Sequence, residues 1–196
     1  MSTSVSRHAL GLTWVEAEDM RRAAHALRDG DRVWLVDPFE DEMALTAAAE
    51  LGRPAGVIQL LDRHNRDCSE IAQRLEVERY RVPGSLPDSP FAIVSVIRRR
   101  WWREVALWWG EPRALVVAEA VGTAPVFALG RPLGVHPVLR LTPPRVLAAN
   151  RPERLFVGHG APLESGAAAA LDEALANSWS DLPRLALRLP SLLRQA

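Results

Sequence analysis

The chain has 196 residues, 48% of them apolar, and its 24 basic residues are balanced by 24 acidic ones to a formal net charge of zero. That length and apolar content suffice for one sizeable core, which predicts a single domain over residues 1–196 and excludes an extensively disordered chain. A zero net charge excludes a global field favouring nucleic acid or lipid, so no membrane partner is expected and nucleic acid would need a local patch. The single cysteine, Cys68, excludes an internal disulfide. Residues 1–12 lack the apolar run of a signal peptide, and no stretch approaches the roughly 20 apolar residues of a spanning helix, so the expected location is cytoplasmic. Every basic residue is an arginine, which reads as genomic base bias and carries no mechanism.

In chain order, Met20, Ala23, Ala24 and Leu27 at helical spacing, with Gly30 as a stop, predict a first helix over about 17–29. Arg32 to Val36 reads as a strand closed by Asp37-Pro38, and the pattern through Met43, Leu45 and Ala48 as a helix ending before Gly52. Val57 to Leu61 is a second strand, Ser69 to Leu75 a helix with Asp67 or Ser69 available as its cap, and Val77 to Val82 a third strand, giving a βαβ unit. The 62–68 loop then lies at a strand's carboxyl end, where α/β proteins place their sites. Beyond a proline-rich break, Phe91 to Ile97, Glu104 to Trp109 and Ala114 to Ala118 predict a meander, and residues 122–145 hold too many prolines and glycines for a long element. Leu155 to Val157 is a short strand, Ser165 to Asn177 a helix, and a last helix starts near Leu182. Its stripe of Leu182, Leu185, Leu189, Leu192 and Leu193 is expected to cover the core, or else to pair with a second subunit.

Two segments carry the chemistry: Leu61-Asp62-Arg63-His64-Asn65-Arg66-Asp67-Cys68, and Val157-Gly158-His159-Gly160 some ninety residues later. Both resemble metal loops of the metallo-β-lactamase superfamily, whose first loop reads Leu-Thr-His-x-His-x-Asp-His. In that frame Arg63 and Asn65 stand in place of the first two histidines, Asp67 matches the aspartate, and Cys68 replaces the last histidine. Val117-Ala118-Glu119 resembles the family's Val-Gly-Asp segment and would put Glu119 at the metal-bridging position. Trp102 is assigned the place of the middle histidine. The resemblance covers roughly residues 30–177 and implies an α/β (α+β) fold, the four-layer αββα sandwich.

What it implies for the site follows from ligand chemistry. A guanidinium has no free lone pair and an indole only donates, so Arg63, Asn65 and Trp102 leave the family's first metal position without ligands. Asp67, Cys68, Glu119 and His159 retain groups able to bind one zinc at the second position. Two readings stay open. In one, no metal is held and Arg63 neutralises Asp67 and Glu119 directly; in the other, those four residues form a one-zinc hydrolase site. The pocket is therefore lined by Arg63, Asn65, Asp67, Cys68, Trp102, Glu119 and His159, with no catalytic residue assigned. The expected function is a degenerate member of the fold, its two-metal hydrolase site lost, that is non-catalytic or binds a small molecule in an altered way. His64, in the motif's variable slot, is expected to point away from the pocket, and His8, His25 and His136 have no ligand-spaced partners.

Arg98-Arg99-Arg100-Trp101-Trp102-Arg103 is the sharpest charge cluster, open to nucleic-acid binding or to a solvated turn with stacked tryptophans. Trp108 and Trp109 read as core or a homodimer face. No Gly-x-Ser-x-Gly elbow, phosphate loop or dinucleotide fingerprint occurs.

Overall fold

The computed structural model of the protein describes residues 3–18, 20–64 and 66–192, the last five of these by backbone alone. The first half forms a six-stranded sheet in sequential order from β1 (Thr3–His8), β2 (Gly11–Glu16), β3 (Ala23–Asp29) and β4 (Arg32–Val36) to β5 (Arg53–Gln59) and β6 (Arg79–Arg81). β1 to β4 are antiparallel, whereas β4, β5 and β6 run parallel because a helix connects each pair: α1 (Glu42–Ala49) and α2 (Cys68–Arg74). The second half supplies β7 (Phe91–Arg99), β8 (Trp102–Trp109), β9 (Ala114–Val117), the short pair β10 (Val121–Gly122) and β11 (Gly134–Val135) around the helical turn α3 (Pro125–Ala128), then β12 (Arg154–Val157), α4 (Ala167–Asn177) and α5 (Leu182–Leu192). Its four-stranded sheet runs β12-β9-β8-β7, an antiparallel meander with β12 parallel to β9.

Two cores separate the layers. Trp14, Val33, Leu35, Val57, Ala44 and Ile71 are buried between the six-stranded sheet and α1 and α2. A larger core joins Trp34, Ile58 and Leu60 of that sheet to Leu107, Val116 and Phe156 of the other, and continues to Leu171 and Leu175 of α4. Trp34 edges onto Phe91, which edges onto Trp109, so aromatic rings close the gap between the sheets. The result is the expected αββα sandwich.

The predicted helix over 17–29 is instead the strand β3. Ala23, Ala24, Ala26 and Leu27 are all fully buried, because β3 is a central strand covered on both faces and shows no period-2 alternation. Gly30, at φ 63°, occupies the tight turn into β4 rather than ending a helix. Asp41 caps α1 through the Ala44 N–H, but Asp67, although it precedes α2, makes no side-chain cap. In the last helix Leu182 and Leu185 are half-buried and Leu187 is exposed; the Leu189 and Leu192 side chains, and Leu193, lie outside the described residues. Among the described residues no helix is long and apolar enough to cross a membrane.

The sheets are stitched together at one end. Val105 donates to the Leu60 carbonyl and Asp62 to that of Arg103, so the carboxyl end of β5 runs onto β8, while Ala23 donates to the Gly158 carbonyl just past β12. Behind this seam lies a relay of neutral groups. His25 Nε2–H donates to the Val157 carbonyl (3.1 Å), Nδ1 accepts from the Thr13 hydroxyl (2.8 Å), and that hydroxyl accepts from His8 Nε2 (3.2 Å). Burial, above all, pushes the His25 pKa down to about 3 from 6.5. The folded state therefore keeps His25 neutral where the unfolded chain takes up a proton, and stability present above pH 6.5 is lost as pH falls towards 3, by up to ~1.4 kcal/mol per pH unit. Urea unfolding midpoints measured from pH 7.5 to 4.5 are expected to fall steadily; a flat profile would contradict a neutral His25.

Candidate metal centre

The site gathers where β4, β5, β9 and β12 all end. Each side chain is held by a different device. At the end of β4, Asp37 adopts the left-handed conformation (φ 44°) and is 2% exposed; its Oδ1 accepts the Leu60 N–H. This leaves Oδ2 facing His64 Nδ1 at 4.0 Å. His64, in the turn after β5, aims Nε2 at Glu119 Oε1, 3.4 Å away. Glu119 follows β9 and is fixed from behind by Glu104, a fully buried carboxylate on β8 whose Oε1 accepts the N–H groups of Glu119 and Ala120, both at 3.0 Å. Burial raises the Glu104 pKa to about 7 even against these donors and the Trp102 indole.

His159 is the most tightly specified member. Gly158 packs so closely that a Cβ there would lie 2.2 Å from the Ala118 carbonyl, and one on Gly160 would meet Thr123 Oγ1 at the same distance. Between them the His159 carbonyl accepts from Thr123 and Ala124, and Nδ1–H donates to the Met20 carbonyl at 2.8 Å. Nε2 must then be the lone-pair nitrogen. Among the described residues it is buried without a hydrogen-bond partner, and it faces Glu119 Oε1 at 3.8 Å, one acceptor opposite another. The ring stacks on Phe127 and meets His64 edge-on at 5.5 Å.

Donor atoms of His64, Glu119 and His159 lie within 4.8 Å of one another. Burial opposes protonation of His64, but the flanking Asp37 and Glu119 carboxylates outweigh it and raise its pKa. Burial likewise opposes ionisation of Glu119, yet His64, with His136 and His159, holds its pKa down to about 2. Burial and the Arg66 charge press His159 down to about 4. A neutral imidazole oriented by a backbone carbonyl, a second imidazole flanked by carboxylates, and an ionised carboxylate are groups of the kind that could hold a metal ion.

Comparison with solved structures decides what carries this site. The crystal structure of the DIM-1 metallo-β-lactamase matches with a TM-score of 0.57 at 12% identity, over 92% of this chain and 98% of that one. FIM-1 from Pseudomonas aeruginosa, in a mono-zinc form, matches at 0.55 with 8% identity over 93% and 97%, and TMB-1 at 0.51 with 13% identity over 91% of each. The chain has the metallo-β-lactamase fold. No protein-family model matches it, and no curated protein matches it in sequence.

Within the metallo-β-lactamase fold, the residues named from sequence separate into two groups. Arg63, Trp102, Glu119 and His159 come together. The Arg63 guanidinium lies over the Trp102 ring (4.4 Å) and reaches Glu119 Oε2 (3.2 Å), and the side chain is half-exposed. Trp102 is buried, its indole N–H given to Glu104. Asp67 and Cys68 stand apart from this cluster. Asp67 Oδ2 accepts the Glu40 N–H at 2.7 Å, so it braces the segment between β4 and α1, and Arg63 is not its partner. The Cys68 thiol is fully buried in the outer core, 3.8 Å from the Pro38 carbonyl, and burial drives its pKa up, away from the thiolate a ligand needs. Asn65 lies outside the described residues.

The expectation that His64 points away is overturned: it stands between two carboxylates. Sequence reasoning also passed over Asp37, Glu104 and Arg66. Arg66, left-handed at φ 42°, sends its guanidinium inward, with Nη1 donating to the carbonyls of Ala23 (2.6 Å) and Asp37 (2.7 Å) and Nη2 to that of Gly158 (3.1 Å). His136, set aside from sequence, borders the site edge-on to Trp102 and Phe127, with Nδ1 accepting the Val138 N–H.

Proposed function

We propose that this chain is a degenerate metallo-β-lactamase-fold protein in which the two-metal hydrolytic centre is lost and one divalent metal, zinc by donor chemistry, is held by His64, Glu119 and His159. The observation that carries the reading is His159 Nε2, a buried lone pair with no hydrogen-bond partner among the described residues, opposite an ionised carboxylate. A cation between them relieves that opposition. Loss of the second metal is supported by Arg63 in the frame of a leading histidine, its guanidinium unable to ligate. When bound, the metal would supply a Lewis acid and an open position for water or a ligand oxygen. Arg63, held over the Trp102 ring and half-exposed, would orient an anionic group on a small molecule arriving there. The reading is thus a one-metal, anion-recognising small-molecule site on a hydrolase scaffold.

A second reading has its own observation: Arg63 lies 3.2 Å from Glu119 and His64 sits between two carboxylates, so the cluster can be neutralised by side chains alone. Elemental analysis of protein purified without chelator separates the two. About one zinc per chain is expected, falling to background in His64→Ala; a wild-type chain free of metal after dialysis against micromolar zinc supports the ionic network instead.

A further inference from the structure

The arginine cluster of the β7–β8 hairpin builds a second site, on the open edge of the sandwich and independent of the metal reading. A cleft of about 590 Å³ opens between the segment after β6 and the two strands of the hairpin. Val82, Ile93, Ile97 and Val105 give it an apolar floor, and Arg98, Arg100 and Arg103 line it with guanidinium groups. Arg98 and Arg103 are directly paired across the two strands, an arrangement of like charges that costs stability unless something negative lies between them. The chain supplies little. Among the described residues neither the Arg98 nor the Arg100 guanidinium has an ion pair, and Arg103 has a single contact, Nε to Asp62 Oδ2 at 3.4 Å. Arg81 adds further positive charge behind, on the Asp62 carbonyl.

We propose that this cleft binds a small organic phosphomonoester, its apolar body on the Ile93, Ile97 and Val105 floor and its dianionic head between Arg98, Arg100 and Arg103. Guanidinium forks match phosphate oxygens in pairs, and a dianion answers two unpaired arginines where one carboxylate does not. A nucleic-acid strand fits the cleft less well. It needs aromatic platforms, and Trp101, the exposed indole of the hairpin tip, is not part of the cleft lining; it lies under the guanidinium of Arg99, a lining arginine already engaged by the Thr142 hydroxyl.

The test is a titration of the isotope-labelled full chain with 1-naphthyl phosphate, followed by amide chemical shifts. Saturable shifts confined to residues 82–84 and 93–105, reversed by inorganic phosphate, are expected. The exposed double variant Arg98→Gln/Arg100→Gln should weaken binding at least about tenfold, while Arg7→Gln/Arg53→Gln, which removes equal charge from another face, leaves it unchanged. Shifts that are absent, that spread over the surface, or that persist in the Arg98/Arg100 variant would overturn the proposal. So would tight, steeply salt-dependent binding of a deoxythymidine oligonucleotide that 1-naphthyl phosphate does not displace, which would assign the arginines to nucleic acid. Zinc content should be the same in all variants, so this result stands or falls apart from the metal site.

Discussion

Arg66→Met is expected to destabilise the protein by about 3–5 kcal/mol, more than any other single change at the site. The arginine donates to three carbonyls on three segments: Ala23 at the start of β3, Asp37 at the end of β4, and Gly158 just past β12. The first two belong to one sheet and the third to the other, so one side chain clamps the sandwich at the end where His64, Glu119 and His159 gather. Methionine keeps much of the apolar stem and fills part of the space, yet it donates nothing, and each carbonyl loses a charge-assisted bond in a place water reaches poorly. Arg66→Lys should recover only part of the loss, because one ammonium cannot reproduce a planar fork that spans three acceptors. Urea unfolding at pH 7.5 measures both. A loss below about 1 kcal/mol for Arg66→Met would show that the clamp is not structural.

Glu119→Gln is expected to weaken zinc binding by at least about a hundredfold, near 3 kcal/mol, with little change in fold. Glu119 supplies the only anionic donor among the three proposed ligands, and it faces His64, His159 and Arg63 together. An amide in its place leaves a cation beside Arg63 and Arg66 with no charge to balance it. The backbone stays anchored, since Glu104 grips the N–H groups of residues 119 and 120 rather than the side chain. Asp67→Asn and Cys68→Ser provide the contrast: neither side chain belongs to the cluster, so zinc affinity should stay within about threefold of wild type in both. Competition against a chromophoric chelator reads all three. Equal losses in Asp67→Asn and Glu119→Gln would restore the ligand set expected from sequence.

That contrast also shows where the sequence was legible. The meander β7 to β9, the parallel units around α1 and α2, and the Gly158-His159-Gly160 loop were all readable, because strand runs, breaker residues and flanking glycines act locally. β3 misled because a strand buried on both faces has no alternation, and its alanines imitate a helix period. The 62–68 loop misled for another reason. Matching it to a ligand-rich motif presumes that successive side chains keep the motif's directions, and Arg66 in the left-handed region redirects the chain: Cys68 turns into the outer core while His64 faces Glu119. Asp37 read only as a strand terminator before Pro38, and Glu104 only as the start of a strand. Their roles arise from contacts between β4 and β5 and between β8 and β9, which no local pattern records.

The most direct test is anomalous scattering measured above and below the zinc edge from crystals of the full chain grown with zinc. One peak per chain, bonded to Nε2 of His64, Nε2 of His159 and a Glu119 oxygen, is the expected result. Two peaks in the site, a single peak on Asp67 or Cys68, or no peak while Arg63 and His64 alone enclose Glu119 would contradict it.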